Sequence, residues 1–422
     1  VEGSRGAVDM LLAHLLKDLI QVGQLTLIDA HGRTHVFGVP GGREATIRIH
    51  DKSLHRKLFF RPQLHFGEGY MDGGWSLEQG TTLHDLLAVL CSNLERFERH
   101  PLQRSLDGLG RLLRRVWQYN PIGRAQRNVA HHYDLSDTLY DLFLDKDRQY
   151  SCAYFADPKD SLETAQLNKK RHIAAKMLLE PGHKVLDIGS GWGGMALFLA
   201  EATGCDVTGL TLSAEQHRVS QDRAKQGGLE DRVRFHLRDY REHSGQYDRI
   251  VSVGMFEHVG VGHYPEYFGK VRELLTDDGV CLLHSIGRME PPGSTNPWLR
   301  KYIFPGGYTP ALSETLSAIE SCGLWVTDIE ILRLHYAETL RHWHDRFQAN
   351  RDKIAELYDE RFCRMWEFYL VGCEMSFRYM GQMVFQMQIT KKQDAVPLTR
   401  DYIGTAEQAL RGERTAARRR AA

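Results

Sequence analysis

Glu257 and His258 stand side by side in the segment Arg249–Tyr264, RIVSVGMFEHVGVGHY. Ile250, Val251 and Val253 open it as a buried strand, and the acid and imidazole arrive where that strand should end. Such a pair is a base, the holder of a base, or the polar part of an ordinary loop. A second stretch with chemical content is VLDIGSGWGG, which contains Asp187, Gly189, Gly191, Trp192 and Gly193. Gly189, Gly191 and Gly194 formally satisfy G-x-G-x-x-G, a weak signal by itself that also fits a dinucleotide site or a structural turn. Two details point away from a dinucleotide. Asp187 precedes the first glycine, where a pyrophosphate gains nothing from another negative charge. The following strand ends Gly209-Leu210-Thr211, without the acid that would hold a ribose. Thr211, the backbone near Leu212, and Gln216 are what GLTLSAEQ offers in its place. Further on, Asp239 and Tyr240 are placed to bracket an adenine, the acid accepting from the amino group and the ring stacking. The plainer alternative is a loop acid beside a partly buried tyrosine.

The pattern D-x-G-x-G-x-G resembles the first motif of S-adenosylmethionine-dependent methyltransferases of the Rossmann-like class. Their ligand carries an ammonium group that an acidic loop tolerates, and glycines let the backbone come close.

The elements around these residues form a regular rhythm. From about residue 183, HKVLDIG, CDVTGL, RVRFHL, YDRIVSVG and GVCLLHSI read as strands, with helices such as GGMALFLAEAT and SAEQHRVSQDRAKQ between them. This predicts an α/β fold, a mostly parallel seven-stranded sheet with helices on both faces and ligands beyond the strand carboxyl ends. GLWVTDIEIL adds a strand, residues 336–381 a long helical region, and VFQMQIT a last strand. Upstream, an opening helix, a hairpin turning at Ala30-His31-Gly32, the strand ATIRIHD and further apolar stretches predict a small α+β domain. The expected division is 1–100 for that domain, 101–124 for a basic linker helix, 125–395 for the catalytic domain, and 396–422 for a basic, disordered tail. In the linker, Leu102, Leu106, Leu109, Leu113 and Val116 make one stripe, with Arg104, Arg111, Arg114 and Arg115 mostly off it. Such a helix lies on an anionic membrane surface or packs between domains.

Composition narrows the function classes. The chain has 422 residues, with Lys+Arg and Asp+Glu both 54, so nothing pulls the whole protein toward nucleic acid. Its 7 cysteines include no C-x-x-C pair, which argues for a reducing cytosol and against a zinc site. Neither a signal peptide nor a run of the ~20 apolar residues needed to span a bilayer is evident, so lipid would be met from outside.

HHYDLSDTLYDLFLD, YSCAYF, LDIGSGWGG, GLTLSAEQ, SVGMFEHVG, LLHSIG and HYAETLRHW together resemble the cyclopropane fatty acid synthases, over roughly residues 125–392. The mycolic acid cyclopropane and methyl-branching enzymes share that core. The extra N-terminal region is similar to that of the bacterial phospholipid enzymes. The resemblance implies transfer of a methylene unit from S-adenosylmethionine to a cis double bond of an unsaturated phospholipid, with a bound bicarbonate as the base. It implies that Glu257, His284 and Tyr336 hold the bicarbonate, with backbone at Ile286 and backbone or side chain at Cys152 completing the cage. Tyr150 and Ser151, with Tyr133 nearby, would touch the cofactor. Cys373 matches a family cysteine once proposed as catalytic, although it sits in an apolar helical run. His258 should point elsewhere. Alkene attack on a methyl group passes through a cation, so alignment and dryness should dominate. Trp343, Phe347, Trp366, Phe368, Tyr369 and Phe377 offer aromatic faces, most of them expected to be plain core. The expected partners are phospholipid, an anionic membrane surface at the inner face of the membrane, and a second copy of the chain in a homodimer. Alternatives are the same scaffold leaving methylene or methyl branches, and a non-catalytic lipid-binding protein.

Overall fold

A computed structural model describes the backbone of residues 5–94 and 136–421, and side chains over 12–94 and 136–412. Tyr133 and the basic segment 101–124 lie outside the described residues. The chain forms two compact units. The first combines Val1–Arg114, Gly293–Pro305 and Leu340–Gln382, and the second Arg115–Pro292, Gly306–Thr339 and Met383–Ala422.

The first unit carries a four-stranded sheet. Its strands are β1 (Gln24–Ile28), β2 (Thr34–Gly38), β3 (Glu44–Ile49) and β4 (Trp75–Glu78), in the order β2-β1-β3-β4. The expected hairpin is there, β1 antiparallel to β2, and the Asp29 carboxylate fastens its turn by accepting the N–H groups of His31 and Arg33. Alternating Leu25, Leu27, Ile47 and Ile49 face a core shared with Trp75 and Leu86. The long helical region expected at 336–381 is three helices, His335–Ala349, Arg351–Leu357 and Glu360–Tyr379. Asp359 starts the last one, its carboxylate accepting Phe362 N–H at 2.6 Å. Val371 and Met375 of that helix complete the core of the first unit. From Leu340 onward the helical region groups with the N-terminal part, whereas the sequence pattern joins it to the catalytic domain as one span, 125–395. The apolar face of its last helix meets core residues far upstream in the chain.

The second unit is built on β5 (Lys184–Ile188), β6 (Asp206–Thr211), β7 (Val233–Leu237), β8 (Tyr247–Val253), β9 (Leu275–Arg288), β10 (Trp325–Ile331) and β11 (Gln382–Thr390). They lie in the order β10-β11-β9-β8-β5-β6-β7. The pairs from β9 through β7 are parallel and β10 runs antiparallel to β11, so the expected mostly parallel seven-stranded sheet is observed. From β5 the chain moves outward through β6 to β7, then returns to the other side of β5 with β8 and β9. The order reverses between β5 and β8, and the crevice beyond their carboxyl ends is where such sheets bind ligands.

The basic tail differs from expectation. Asp401–Ala421 is a helix. Alanine and arginine are strong helix formers, and Ile403 is buried while Glu407 pairs with His172. Composition showed too few apolar residues for order, but one buried isoleucine and one ion pair anchor the helix.

Candidate active site

Beyond β5 and β8 lies a cavity walled by the loop after β5, the ends of β6 and β7, and the segment Arg148–Ser151. Of the residues proposed from sequence to hold the cofactor, it is lined by Tyr150, Ser151, Asp187, Gly189, Gly191, Trp192, Thr211, Leu212, Gln216, Asp239 and Tyr240. Gly193 is not in the wall. It caps the helix Gly194–Thr203 at φ +83°, and a Cβ there would come within 2.7 Å of the Phe235 ring, so its smallness serves packing. Gly191, at φ +53°, has no atom within 4 Å of the place a Cβ would take; a side chain there would protrude into the cavity.

Asp187 is a buried acid of a cavity whose wall also carries Arg148, Arg238 and Arg241. It is buried, and its Oδ2 has no hydrogen-bond partner. Burial raises its pKa to about 7, with the Lys169 ammonium opposing the shift. An unpartnered buried carboxylate at the base of a cavity suits a ligand that brings positive charge. Thr211 donates to Gln216 Oε1 at 2.8 Å, which leaves the Gln216 amide N–H groups for other acceptors. Asp239 lines the cavity with a partner of its own. Arg241 donates to both of its carboxylate oxygens, at 2.9 and 2.7 Å, so the acid meets the cavity already neutralised. Tyr240 is buried with its ring edge-on to Tyr267, at 5.4 Å between centroids.

From the sequence, His258 is expected to point elsewhere than its neighbour Glu257. It lies in the cavity wall, and burial lowers its pKa to about 4, making it a neutral ring at ordinary pH. The cause is local: Phe256–His258 is a single 3-10 turn, which sends Glu257 and His258 in different directions from one strand end. Glu257 goes inward. Its Oε1 accepts the N–H of Ile286 at 2.6 Å, and its Oε2 is buried without a partner. Burial raises its pKa to about 7 against the opposing hydrogen bonds from Ile286 N–H and the Ser285 hydroxyl. His284 stands opposite Val253 in the β8–β9 register, and Gly254 N–H donates to its carbonyl at 2.9 Å. Burial, then the nearby charges of Lys169, Lys176 and His172, hold its imidazole neutral, far below the usual pKa.

Cys152 and Tyr336 are tied to one helix turn. Thr339 accepts Ala153 N–H at 3.0 Å and also bonds the Cys152 thiol, while Tyr336 lies three residues earlier on the same helix. Burial pushes the Cys152 thiol well above the usual range, and the thiol donates to Ala153 C=O at 3.3 Å. It is no thiolate nucleophile. Cys373 belongs to the other compact unit, on the helix Glu360–Tyr379, and burial pushes its pKa up to about 12. Trp343, Phe347, Trp366, Tyr369 and Phe377 are buried in that unit too, and Phe368 packs on Trp298 and Tyr70 there.

The sequence reading missed the supports of this site. Lys169 is fully buried and donates to Gln149 Oε1 at 2.7 Å and Ser151 Oγ at 2.8 Å, while Gln166 donates to the carbonyls of both residues. Burial lowers the Lys169 pKa to about 8, with Asp145 opposing. Lys176 and Gln386 stand behind His284. A signal existed. Gln166, Lys169, His172 and Lys176 recur at 3-3-4 spacing, a polar stripe along one face of the helix Leu162–Lys176, and all four are buried.

The mycolic acid cyclopropane synthetase family model matches residues 122–387. The chain belongs to that family. It is an S-adenosylmethionine-dependent enzyme of the methyltransferase fold. It is 37% identical over 355 residues to the cyclopropane-fatty-acyl-phospholipid synthase of Escherichia coli K12, covering 84% of this chain and 90% of that protein. A tuberculostearic acid methyltransferase of Mycobacterium tuberculosis is 37% identical over 358 residues, covering 81% and 82%. A mycolic acid cyclopropane synthase solved with SAH and CTAB superposes with TM-score 0.60 at 33% identity, covering 64% of this chain and 99% of that one.

Proposed function

We propose that this enzyme transfers a methylene unit from S-adenosylmethionine to the cis double bond of unsaturated phospholipid acyl chains, forming cyclopropane fatty acids, with a bound bicarbonate as general base. The observation that carries the proposal is Glu257: a buried carboxylate whose Oε2 has no partner, held by Ile286 N–H on the strand that also carries His284, and flanked by Met255 and His258 of the cofactor cavity wall. Family membership and the phospholipid synthase relative support the substrate class.

S-Adenosylmethionine supplies a methyl group on a sulfonium, and Asp187 with the open Gly191 cradle fits its positive charge and close approach. Lys169 and Gln166 hold the Gln149–Ser151 wall in place, so the residues lining the cavity need little reorganisation at the moment of reaction. Burial of Glu257, His284 and Cys152 keeps water from an electron-poor carbon. Bicarbonate would accept the proton that leaves the methyl carbon. Glu257 fits as its holder: with a pKa near 7 it can keep a proton on Oε2 and donate it to an anion, where an ionised carboxylate would repel. Ile286 takes a different part from the one expected. Its N–H is engaged by Glu257, so it positions that acid and reaches the anion only through it. His284, Tyr336 and Cys152 remain in the proposed cage, and Tyr133 in the proposed cofactor site.

Among the described residues no helix is long and apolar enough to cross a membrane. We assign membrane docking to the N-terminal region and the basic segment 101–124, at the inner face of the membrane, with a homodimer as the working form. The tuberculostearic acid relative, equally identical, favours a second reading in which the same site leaves a methylene or methyl branch.

The test is incubation with S-adenosylmethionine and vesicles of a cis-monounsaturated phospholipid, in bicarbonate-free and bicarbonate-supplemented buffer, with fatty esters read by mass spectrometry before and after mild hydrogenation. A product one CH2 heavier that takes up no hydrogen, formed faster with bicarbonate, is expected. A product that takes up hydrogen selects the second reading. Equal rates in both buffers would remove bicarbonate.

A further inference from the structure

We propose that Gln386 is a positioning residue that fixes the tautomer of His284, its own amide being oriented by Lys176. The inference rests on the reading of His284 as a holder of the anion.

His284 and Gln386 lie on neighbouring strands, β9 and β11, and both are buried. Gln386 Nε2 is 3.1 Å from His284 Nδ1, and Lys176 Nζ is 2.8 Å from Gln386 Oε1. Donor and acceptor rules set the rest. An ammonium only donates, so the amide atom facing Lys176 must be the carbonyl oxygen. The amide NH2 then faces His284, and because it too only donates, Nδ1 must accept. A neutral imidazole that accepts at Nδ1 carries its hydrogen on Nε2. His284 is thereby made a hydrogen-bond donor through Nε2, the form that holds an oxyanion and cannot serve as the proton acceptor.

The charge that orients the amide is itself held in place. Lys176 also donates to Glu330, which accepts from His172 Nε2 at 2.6 Å, and His172 Nδ1 meets Glu407 of the C-terminal helix. Both ring nitrogens of His172 face carboxylates, which makes it a cation that balances them. Lys176 and His172 are nearly out of solvent, so this network is hard to rearrange. It gives the C-terminal helix a physical link to the site: Glu407, His172, Glu330, Lys176, Gln386, His284.

The test is the imidazole 15N spectrum of the full chain labelled with 15N-histidine, His284 being assigned by difference from His284→Asn, together with turnover and cofactor affinity. The wild type should show Nδ1 unprotonated and Nε2 protonated. Gln386→Glu places a carboxylate beside Lys176 that can only accept from the ring. It should reverse the tautomer and lower turnover by on the order of 100-fold or more, with cofactor affinity within about twofold. Gln386→Met, near in shape and without donor or acceptor, should give mixed tautomers and an intermediate loss; it also serves should the glutamate variant fold poorly. A His284 that keeps hydrogen on Nε2 in both variants overturns the proposal, as does full turnover with a reversed tautomer. Wild-type turnover in His284→Asn would instead remove the anion-holding role, a failure that the spectrum distinguishes from a wrong tautomer.

Discussion

Asp187, at the carboxyl end of β5, and Glu257, just beyond the neighbouring β8, are two buried acids, each with one carboxylate oxygen lacking a partner and each with a pKa raised to about 7. Their surroundings differ. Asp187 opens on a cavity with glycines around it, and the charge nearest it is the Lys169 ammonium. Glu257 is clamped on Ile286 N–H and Ser285, on the strand that also carries His284. The same shift therefore prepares opposite responses. A cation arriving at Asp187 favours its ionised form and lowers its pKa. An anion arriving at Glu257 favours its protonated form and raises it. In the proposed mechanism, similar pKa values thus accompany a cation site at Asp187 and an anion site at Glu257.

The sharpest way to break this comparison is Glu257→Gln. It keeps the shape but exchanges an acid for an amide that cannot give up a proton. Turnover should fall by ~100-fold or more while cofactor affinity stays within about twofold. Turnover near wild type would leave Glu257 as a structural clamp on the β9 strand.

Asp187→Asn tests the other half. Cofactor affinity should fall by about 10- to 100-fold, the usual scale for losing a charged hydrogen-bond partner. The folded pKa of Asp187, about 7, lies above its ordinary value of 3.8, so the folded protein binds that proton more tightly than the unfolded chain. Stability is then full below about pH 4 and declines as pH rises toward 7, and Glu257 adds a decline of the same sign from its ordinary 4.5. Thermal melts of the ligand-free protein at pH 8 should accordingly show Asp187→Asn raising Tm while it weakens binding. Cofactor binding has the reverse slope: a cation expels the proton, so affinity should rise by up to ~10-fold per pH unit below 7 and then level. Calorimetry from pH 6 to 8 should show that slope in wild type and in Glu257→Gln, and none in Asp187→Asn. A slope that survives Asp187→Asn would assign it to another group.

How much of this was legible in the sequence follows from the kind of constraint each residue obeys. The Asp187 loop and Glu257 were readable because strand, turn and motif are local, and spacing carried them to the same sheet edge. The roles of Lys176 and Gln386 were not, because each depends on a partner brought in from a distant segment, 210 positions away for their mutual bond. The grouping of helix Glu360–Tyr379 with the N-terminal sheet was hidden for the same reason. The arginine pairing of Asp239 and the 3-10 turn that separates Glu257 from His258 were likewise not visible in the sequence.

Gly191→Ala should give a smaller effect on the cofactor side. Its φ of +53° is tolerated by alanine at a cost of about 1 kcal/mol, and nothing within 4 Å obstructs the added carbon, so the fold should survive. The methyl would instead occupy ligand space, costing roughly 10-fold in cofactor affinity if backbone approach matters there. Affinity equal to wild type would mean that the ligand stays clear of this glycine.

The smallest effect is expected at Cys373. Cys373 lies in the other compact unit, its thiol is held protonated with a pKa pushed up to about 12, and the Ser376 hydroxyl donates to its carbonyl at 2.7 Å. A thiol in that state offers neither base nor nucleophile. Cys373→Ser should leave turnover within about twofold of wild type, the range expected where no buried network is broken. A loss approaching that of Glu257→Gln, in protein with unchanged melting and cofactor affinity, would show that the chemistry draws on a third group and that the pair of acids is an incomplete description of the site.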